Sequence, residues 1–262
     1  MTINCRYLTN LLWNTNSQQT DLHVNEVHVW RACILNYHSG SFQLMRLLND
    51  AEKDRMNRYH WQEDKHRFLI RRAMLRILLG EYLNRLPNEI CISEGKNKKP
   101  IIENAGTNLH FNLSHSNAYI LLAITNSPVG IDMEEVDPAF DYSDIVNQSF
   151  TSEEKKYLHQ SDMAVNRFYE LWTRKEALVK ATAKGITDDL KVTSCLSGTN
   201  VLNKDVIDSV ENWLIESFEV TDGYIGSLAH SKEAKLRFFD FDAFVHRLER
   251  QPETGQTAMD KR

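Results

Sequence analysis

The chain has 262 residues, 42% of them hydrophobic and 26% charged, with ten Gly, five Pro and a formal net charge of −5. Those proportions exclude a disordered or fibrous chain and leave enough apolar surface for one large domain or two small ones. The longest apolar run, Tyr119 to Ile124, is far shorter than the ~20 residues that span a bilayer, so no membrane partner is expected.

Met1 to Trp13 lacks the charged-then-apolar pattern of a secretion signal, which predicts a cytoplasmic protein. Cys5, Cys33, Cys91 and Cys195 are widely spaced, with no Cys-x-x-Cys pair. Reduced thiols are expected, and neither a zinc site nor a disulfide framework.

Along the chain, Glu26 to Leu35 alternates apolar residues and reads as a strand, and Ser41 to Tyr59 follows with leucines at helical spacing. Glu63 to Asn84 is a longer helix whose apolar stripe runs through Phe68, Leu75, Leu78, Leu79, Tyr82 and Leu83, with Arg67 and Arg71 one turn apart beside it. Short strands are predicted over Glu89–Ser93 and Asn108–Leu113. Ala118–Thr125 is apolar on both faces, and the turn Asn126-Ser127-Pro128 leads into Val129–Glu134, so these two are expected as neighbouring central strands.

After Pro138 the pattern is helical. Thr151-Ser152-Glu153-Glu154 reads as a helix N-terminus, and Asp162 opens a second helix that ends at Gly185. Trp213–Val220, Tyr224–His230 and Lys235–Phe241 read as a meander, with a mobile polar tail from Arg250. The order of elements predicts an α+β protein of two halves meeting near residue 126: residues 1–126, residues 127–249, and the tail 250–262.

The net charge hides an asymmetry. Arg46 to Lys99 holds 13 Lys/Arg against 8 Asp/Glu, and Asp132 to Glu176 holds 5 against 11. One segment can hold phosphates and the other a metal, although two solvated helical surfaces would give the same counts. No Gly-x-Gly-x-x-Gly or P-loop sequence occurs, and no helix-turn-helix or zinc-finger spacing, so no nucleic-acid partner is expected.

Three stretches carry chemistry. In Gly130-Ile131-Asp132-Met133-Glu134-Glu135, strand geometry lets Asp132 and Glu134 project together toward one hard cation, with Glu135 on the other face. An exposed strand face would show the same pattern, but Gly130 and its apolar flanks place the pair at the mouth of a buried strand. In Phe168 to Lys180, Phe168, Leu171, Trp172, Leu178 and Val179 form a buried stripe, Glu176 falls at its edge and Lys180 lies one turn further on. That pair suits either a cleft or an ordinary surface ion pair.

Asn112-Leu113-Ser114-His115-Ser116 ends a strand with two hydroxyls around an imidazole, which can hold phosphate oxygens. Ser114 and His115 point to opposite faces of an extended segment, so they cannot form a nucleophile–base pair.

Together and in this order, these segments resemble the 4′-phosphopantetheinyl transferase superfamily in its larger, surfactin-type (Sfp-type) branch. The resemblance covers about Lys53 to Ile186 and rests on Gly-Ile-Asp-Met-Glu at 130–134 and Trp-Thr-Arg-Lys-Glu-Ala-x-x-Lys at 172–180, supported by Asn-Leu-Ser-His-Ser at 112–116 and Lys99-Pro100. It implies a pseudo-two-fold pair of similar α+β halves with coenzyme A between them, acting as a monomer. The implied reaction moves 4′-phosphopantetheine from coenzyme A to a serine of an apo acyl or peptidyl carrier protein and releases adenosine 3′,5′-bisphosphate.

By the same resemblance, Asp132, Glu134 and Glu176 hold Mg²⁺, with Mn²⁺ an alternative for such oxygen ligands. Glu176 doubles as base for the carrier serine, and Lys180 supports the pyrophosphate or Glu176. Arg67 contacts the 3′-phosphate, and Lys99, Ser114 and His115 line the nucleotide pocket. The basic position ahead of Arg67 is shared among Lys53, Arg55 and Arg58, and Glu154 matches an acidic position near the metal for which Glu153 competes. A Mg²⁺-dependent nucleotide pyrophosphate hydrolase and a non-catalytic coenzyme A- or carrier-binding relative are the alternatives.

Overall fold

The computed structural model describes residues 1–15, 21–37, 42–95, 97, 99–103, 106, 108–160, 162–183, 188–201, 212–231 and 233–248. The elements in chain order are β1 (Thr2–Leu8), β2 (Glu26–Cys33), α1 (Phe42–Met45), α2 (Asp50–Asn57), α3 (Gln62–Leu83), β3 (Ile92–Glu94), β4 (Pro100–Ile102), β5 (His110–Ser116), β6 (Tyr119–Thr125) and β7 (Val129–Glu135). They continue with α4 (Ser143–Ser149), α5 (Ser152–His159), α6 (Ala164–Thr182), β8 (Gly198–Val201), β9 (Trp213–Thr221), β10 (Tyr224–His230), β11 (Lys235–Asp240) and α7 (Phe241–Leu248). The α+β class expected from the sequence is the class observed.

The strands form a five-stranded sheet in the order β7-β10-β9-β1-β8, a four-stranded sheet in the order β11-β2-β6-β5, and the small β3-β4 hairpin. Alternation along the strands sorts the apolar side chains into three clusters. Val27, Val29, Leu121 and Ala123 of the four-stranded sheet meet Val129, Ile131, Met133, Phe218 and Leu228 of the five-stranded sheet face to face. On its outer side the four-stranded sheet turns Trp30, Ile120, Leu122 and Ile124 toward Ile70, Met74, Leu78 and Leu79 of α3. The five-stranded sheet turns Ile3, Ile215 and Ala229 outward to Phe168, Leu171 and Leu178 of α6. The architecture is helix, sheet, sheet, helix, with one long helix on the outer face of each sheet.

Several expectations are corrected. β6 and β7 do not pair: the turn between them carries the chain from one sheet to the other, and β7 is an edge strand bonded to β10 alone. β9 and β10 form a hairpin, but the third strand of the expected meander, β11, crosses to pair in parallel with β2. The chain ends are exchanged relative to a division at residue 126, because β1 also crosses, lying parallel to β9 in the other sheet. Such long-range parallel pairings leave no short-range signal in a sequence.

The helical stretch from Ser41 divides into α1 and α2, and the Asn49 side chain caps α2 in a reciprocal capping box with Glu52. The capping box at Thr151 is as expected, with Glu154 as its partner. The next helix starts at Ala164 rather than Asp162, and its C-cap is Ala183 in the left-handed region at φ 52°. Gly185, Ser41 and the tail 250–262 lie outside the described residues. No helix among the described residues is long and apolar enough to cross a membrane, and all four cysteines are free.

His28 of β2 lies within the helix-side cluster, where Trp30 Nε1 donates to the Tyr82 hydroxyl at 2.9 Å, that hydroxyl contacts His28 Nδ1 at 2.5 Å, and His28 Nε2 reaches Glu26 at 3.3 Å. Burial outweighs the Glu26 contact and holds the ring at about 4, against 6.5 for a free histidine. The ring is neutral in the fold while the unfolded chain binds a proton near 6.5, so stability is lost as pH falls from 6.5 toward 4. The urea midpoint should drop between pH 7 and pH 5 by an amount worth about 2 kcal/mol for this one ring. In a His28→Gln variant that pH dependence should shrink by the same amount.

Candidate active site

Gly130 determines where α6 lies. It faces outward from β7 on the same side as Asp132 and Glu134, and a Cβ there would stand 2.0 Å from the Ala177 carbonyl oxygen and 2.3 Å from the Ala181 nitrogen. The helix backbone therefore rests on the strand backbone, a closeness only glycine permits. Glu176 and Lys180 flank that contact and hang over the strand's carboxylates.

The rotation of α6 is set by polar groups beneath it. Thr173 Oγ1 contacts Ser227 Oγ at 2.8 Å, Ser227 contacts Ser217 at 2.9 Å, and Arg174 Nε donates to Ser217 Oγ at 2.7 Å. The fully buried Lys175 ammonium donates to the Leu190 carbonyl at 2.9 Å and the Thr193 carbonyl at 2.5 Å, and pairs with Glu154 at 2.9 Å. Glu154 in turn accepts from the Thr151 and Cys195 backbone N–H groups, each at 2.8 Å. Each buried charge is thus paired and hydrogen-bonded, the condition under which burial is tolerated.

On the cavity side, β5 and β7 are the free edges of the two sheets, and β5 stitches them together with every second side chain. Asn112 Oδ1 accepts from Ile131 N at 2.8 Å, Ser114 Oγ donates to Asp132 Oδ1 at 2.9 Å, and Ser116 Oγ donates to Glu134 Oε2 at 3.0 Å while accepting from Glu135 N at 3.1 Å. At this seam opens a cavity of about 270 Å³ lined by Leu113, Ser114, His115, Asp132, Glu134, Trp172, Glu176 and Lys180. Lys180 Nζ donates to Asp132 Oδ1 at 2.6 Å and to Ser114 Oγ at 3.2 Å.

Asp132 Oδ2 and Glu176 Oε1 are buried without a hydrogen-bond partner. Burial, with the Asp132 charge added, raises Glu176 to about 7 against the opposing pull of Lys180. Glu134 is raised for the same two reasons. Two orphaned carboxylate oxygens in a cavity rimmed by a third carboxylate suit a hard divalent cation. Among the described residues no three such groups stand close enough together to hold an ion as they are. Glu134 is turned to Ser116, and bringing it in requires it to give up that hydroxyl.

The basic side lies across the cavity mouth on α3. His115 lines the cavity as an exposed residue whose ring is partly desolvated. That desolvation, with the charges of Arg71, Lys180 and Arg67, holds it at about 4. Arg71 donates to the Arg67 carbonyl at 3.3 Å, and Arg55, Arg71 and Arg72 gather around the Phe68 ring at 5.9, 6.0 and 5.6 Å. Arg67 itself pairs with Asp64 of its own helix at 3.5 Å and does not line the cavity.

Comparison with known proteins places these features. Residues 128–229 match the 4′-phosphopantetheinyl transferase superfamily, and residues 36–127 match the family described as 4′-phosphopantetheinyl transferase, N-terminal. The transferase HetI of Nostoc sp. is 32% identical over 179 residues, covering 66% of this chain and 76% of HetI. The chain belongs to the 4′-phosphopantetheinyl transferase superfamily.

A putative 4′-phosphopantetheinyl transferase of Synechocystis sp. is 35% identical over 148 residues, 55% of this chain and 60% of that protein. The 4′-phosphopantetheinyl transferase Sfp of Bacillus subtilis is 27% identical over 185 residues, 70% of this chain and 81% of Sfp. The chain is accordingly an enzyme of the phosphopantetheinyl transferase class.

The transferase brings Ser114, His115, Asp132, Glu134, Glu176 and Lys180 to one cavity. It does not bring Lys99 there: that ammonium donates to the Val129 carbonyl at 3.0 Å and the Lys180 carbonyl at 2.7 Å. Lys53 pairs with Asp50 at 3.4 Å, Arg55 pairs with Glu94 at 3.5 Å and Arg58 caps α2, so none of the three lines the cavity. Glu154 is buried structure and Glu153 is exposed.

Trp172, read as core, lines the cavity, while Thr173, Arg174 and Lys175, outside the expected stripe, are fully buried. The signal missed was the i, i+2, i+4 series Asn112, Ser114, Ser116, whose period of two identifies one face of a strand.

Lys175→Met leaves Glu154 buried without its cation and should lower unfolding free energy by about 3–5 kcal/mol, with the Lys175→Met/Glu154→Gln double variant recovering part of it. Gly130→Ala forces α6 off β7 and should cost about 3 kcal/mol, the upper end of overpacking. Denaturant titration followed by circular dichroism measures both.

Proposed function

We propose that the enzyme transfers 4′-phosphopantetheine from coenzyme A to the hydroxyl of a serine on an apo acyl or peptidyl carrier protein and releases adenosine 3′,5′-bisphosphate. The observation that carries the reading is the pair of partnerless carboxylate oxygens, Asp132 Oδ2 and Glu176 Oε1, buried in a cavity that Glu134 and Lys180 also line. Mg²⁺, held by Asp132, Glu176 and a reoriented Glu134, would neutralise charge on the coenzyme A pyrophosphate.

Glu176 accepts the serine proton as the serine oxygen attacks the phosphorus and the bond to the bisphosphate breaks. Lys180 fixes Asp132 through Oδ1 and supplies positive charge where negative charge accumulates. Ser114, His115, Arg67 and the neighbouring Arg71 form the nucleotide side.

A carrier serine and coenzyme A enter the same cavity, lined by residues from both sides of position 126, so one chain supplies the whole site and acts as a monomer in the cytoplasm. The local excess of basic residues before Lys99 and of acidic residues after Asp132 supports opposite roles for the two segments.

The test is the intact mass of an apo carrier protein incubated with the enzyme, coenzyme A and Mg²⁺, with and without EDTA. One phosphopantetheinyl group should be gained, and EDTA should abolish the gain. Asp132→Asn and Glu176→Gln should each slow transfer by at least about 100-fold, the scale of losing one transition-state electrostatic group, with unchanged circular dichroism. Consumption of coenzyme A with no gain on any carrier would instead establish a hydrolase.

A further inference from the structure

The β3–β4 hairpin places two donors on the end of the catalytic helix. Its turn is closed by Gly95 N donating to the Lys99 carbonyl at 2.8 Å. From it, Lys99 Nζ donates to the Lys180 carbonyl at 2.7 Å and to the Val129 carbonyl at 3.0 Å, and Asn97 Nδ2 donates to the Ala183 carbonyl at 2.7 Å. An α-helix leaves its last four carbonyls without internal partners, and in α6, with Ala183 as C-cap, these belong to Lys180 through Ala183. The Thr182 hydroxyl donates to the Leu178 and Val179 carbonyls at 3.1 and 3.2 Å, so the helix satisfies its own penultimate turn. Its last turn is capped from a hairpin some 80 residues earlier in the chain.

Each bond falls on a position that matters. Lys180 is the residue whose ammonium holds Asp132, and Val129 immediately precedes Gly130, where the helix rests on β7. A cation at a helix C-terminus is also favoured by the helix dipole. Burial lowers the Lys99 ammonium to about 8, and both acceptors it meets are main-chain carbonyls.

We propose that Lys99, assisted by Asn97, is a positioning residue: it clamps the C-terminus of α6 to the start of β7, and through that clamp sets Lys180 over Asp132. This rests on the transfer reaction proposed above, and it assigns Lys99 to the protein's own backbone rather than to the nucleotide.

The experiment compares Lys99→Met, Lys99→Arg and Asn97→Ala in the full chain by two readouts. Hydrogen exchange of the Val179–Ala183 amides should quicken at least tenfold in Lys99→Met and less in Asn97→Ala, and return toward the unaltered rate in Lys99→Arg, whose guanidinium can bond two carbonyls. In carrier-modification kinetics, Lys99→Met should lower kcat at least tenfold with the coenzyme A dissociation constant, measured by calorimetry, within twofold of the unaltered enzyme.

Unchanged exchange in Lys99→Met, or a tenfold loss of coenzyme A affinity at unchanged kcat, overturns the clamp. Should Lys99→Met not fold, Asn97→Ala, which removes the bond to the Ala183 carbonyl, decides by the same exchange criterion. Failure of the unaltered protein to modify any carrier would refute the transfer reaction instead, and the exchange measurement would still decide the clamp.

Discussion

Backbone resting on backbone at Gly130 is the constraint from which the site follows. With no side chain between them, α6 and β7 lie close enough for two short carboxylates on a strand and two long side chains on a helix to meet in one cavity. Strand periodicity puts Gly130, Asp132 and Glu134 on one face, and helix periodicity puts Glu176 and Lys180 one turn apart on the other element. Any side chain at position 130 would widen the gap and separate the charges that have to act together.

Close approach alone would leave α6 free to roll. Rotation is fixed by the row Thr173, Arg174 and Lys175, each bonded to groups it would lose by turning: Ser227 and Ser217 on the sheet, then Glu154 and the carbonyls of Leu190 and Thr193. Hydrophobic contacts are non-directional and tolerate small rotations, whereas a buried ammonium with three fixed acceptors does not. The buried pair gives this helix orientation more than stability, since an apolar replacement of the same shape can be equally stable.

The cavity arises where two sheets present unpaired edges to each other. Edge strands are usually protected by pairing or covering; here β5 covers β7 with polar side chains instead of backbone bonds, leaving a polar cleft. The carboxylates of β7 and α6 line that cleft, and Arg67 and Arg71 of α3 act on His115 at its mouth, so the opposed charge of the two chain segments meets at one site.

The amino-acid sequence by itself determined the α+β class, the long helices α3 and α6, the strands β2, β5, β6 and β7, the Thr151 cap and the pairings of Asp132 with Glu134 and of Glu176 with Lys180, because each rests on a short periodic pattern or a local motif; that the two pairs belong together was implied only by the family resemblance. Sheet membership was decided only by the tertiary structure: β1 and β11 cross to the opposite sheets and β7 stands at an edge, and pairings between segments some 200 residues apart leave no trace in local periodicity. Side-chain partners were decided there too. Lys99 and Lys180 look alike in sequence, two lysines beside candidate site residues, yet one meets carbonyls and the other a carboxylate. The reason is physical: a long cationic side chain takes whatever acceptors the fold brings within reach, and only the packing of α6 on β7 determines which those are.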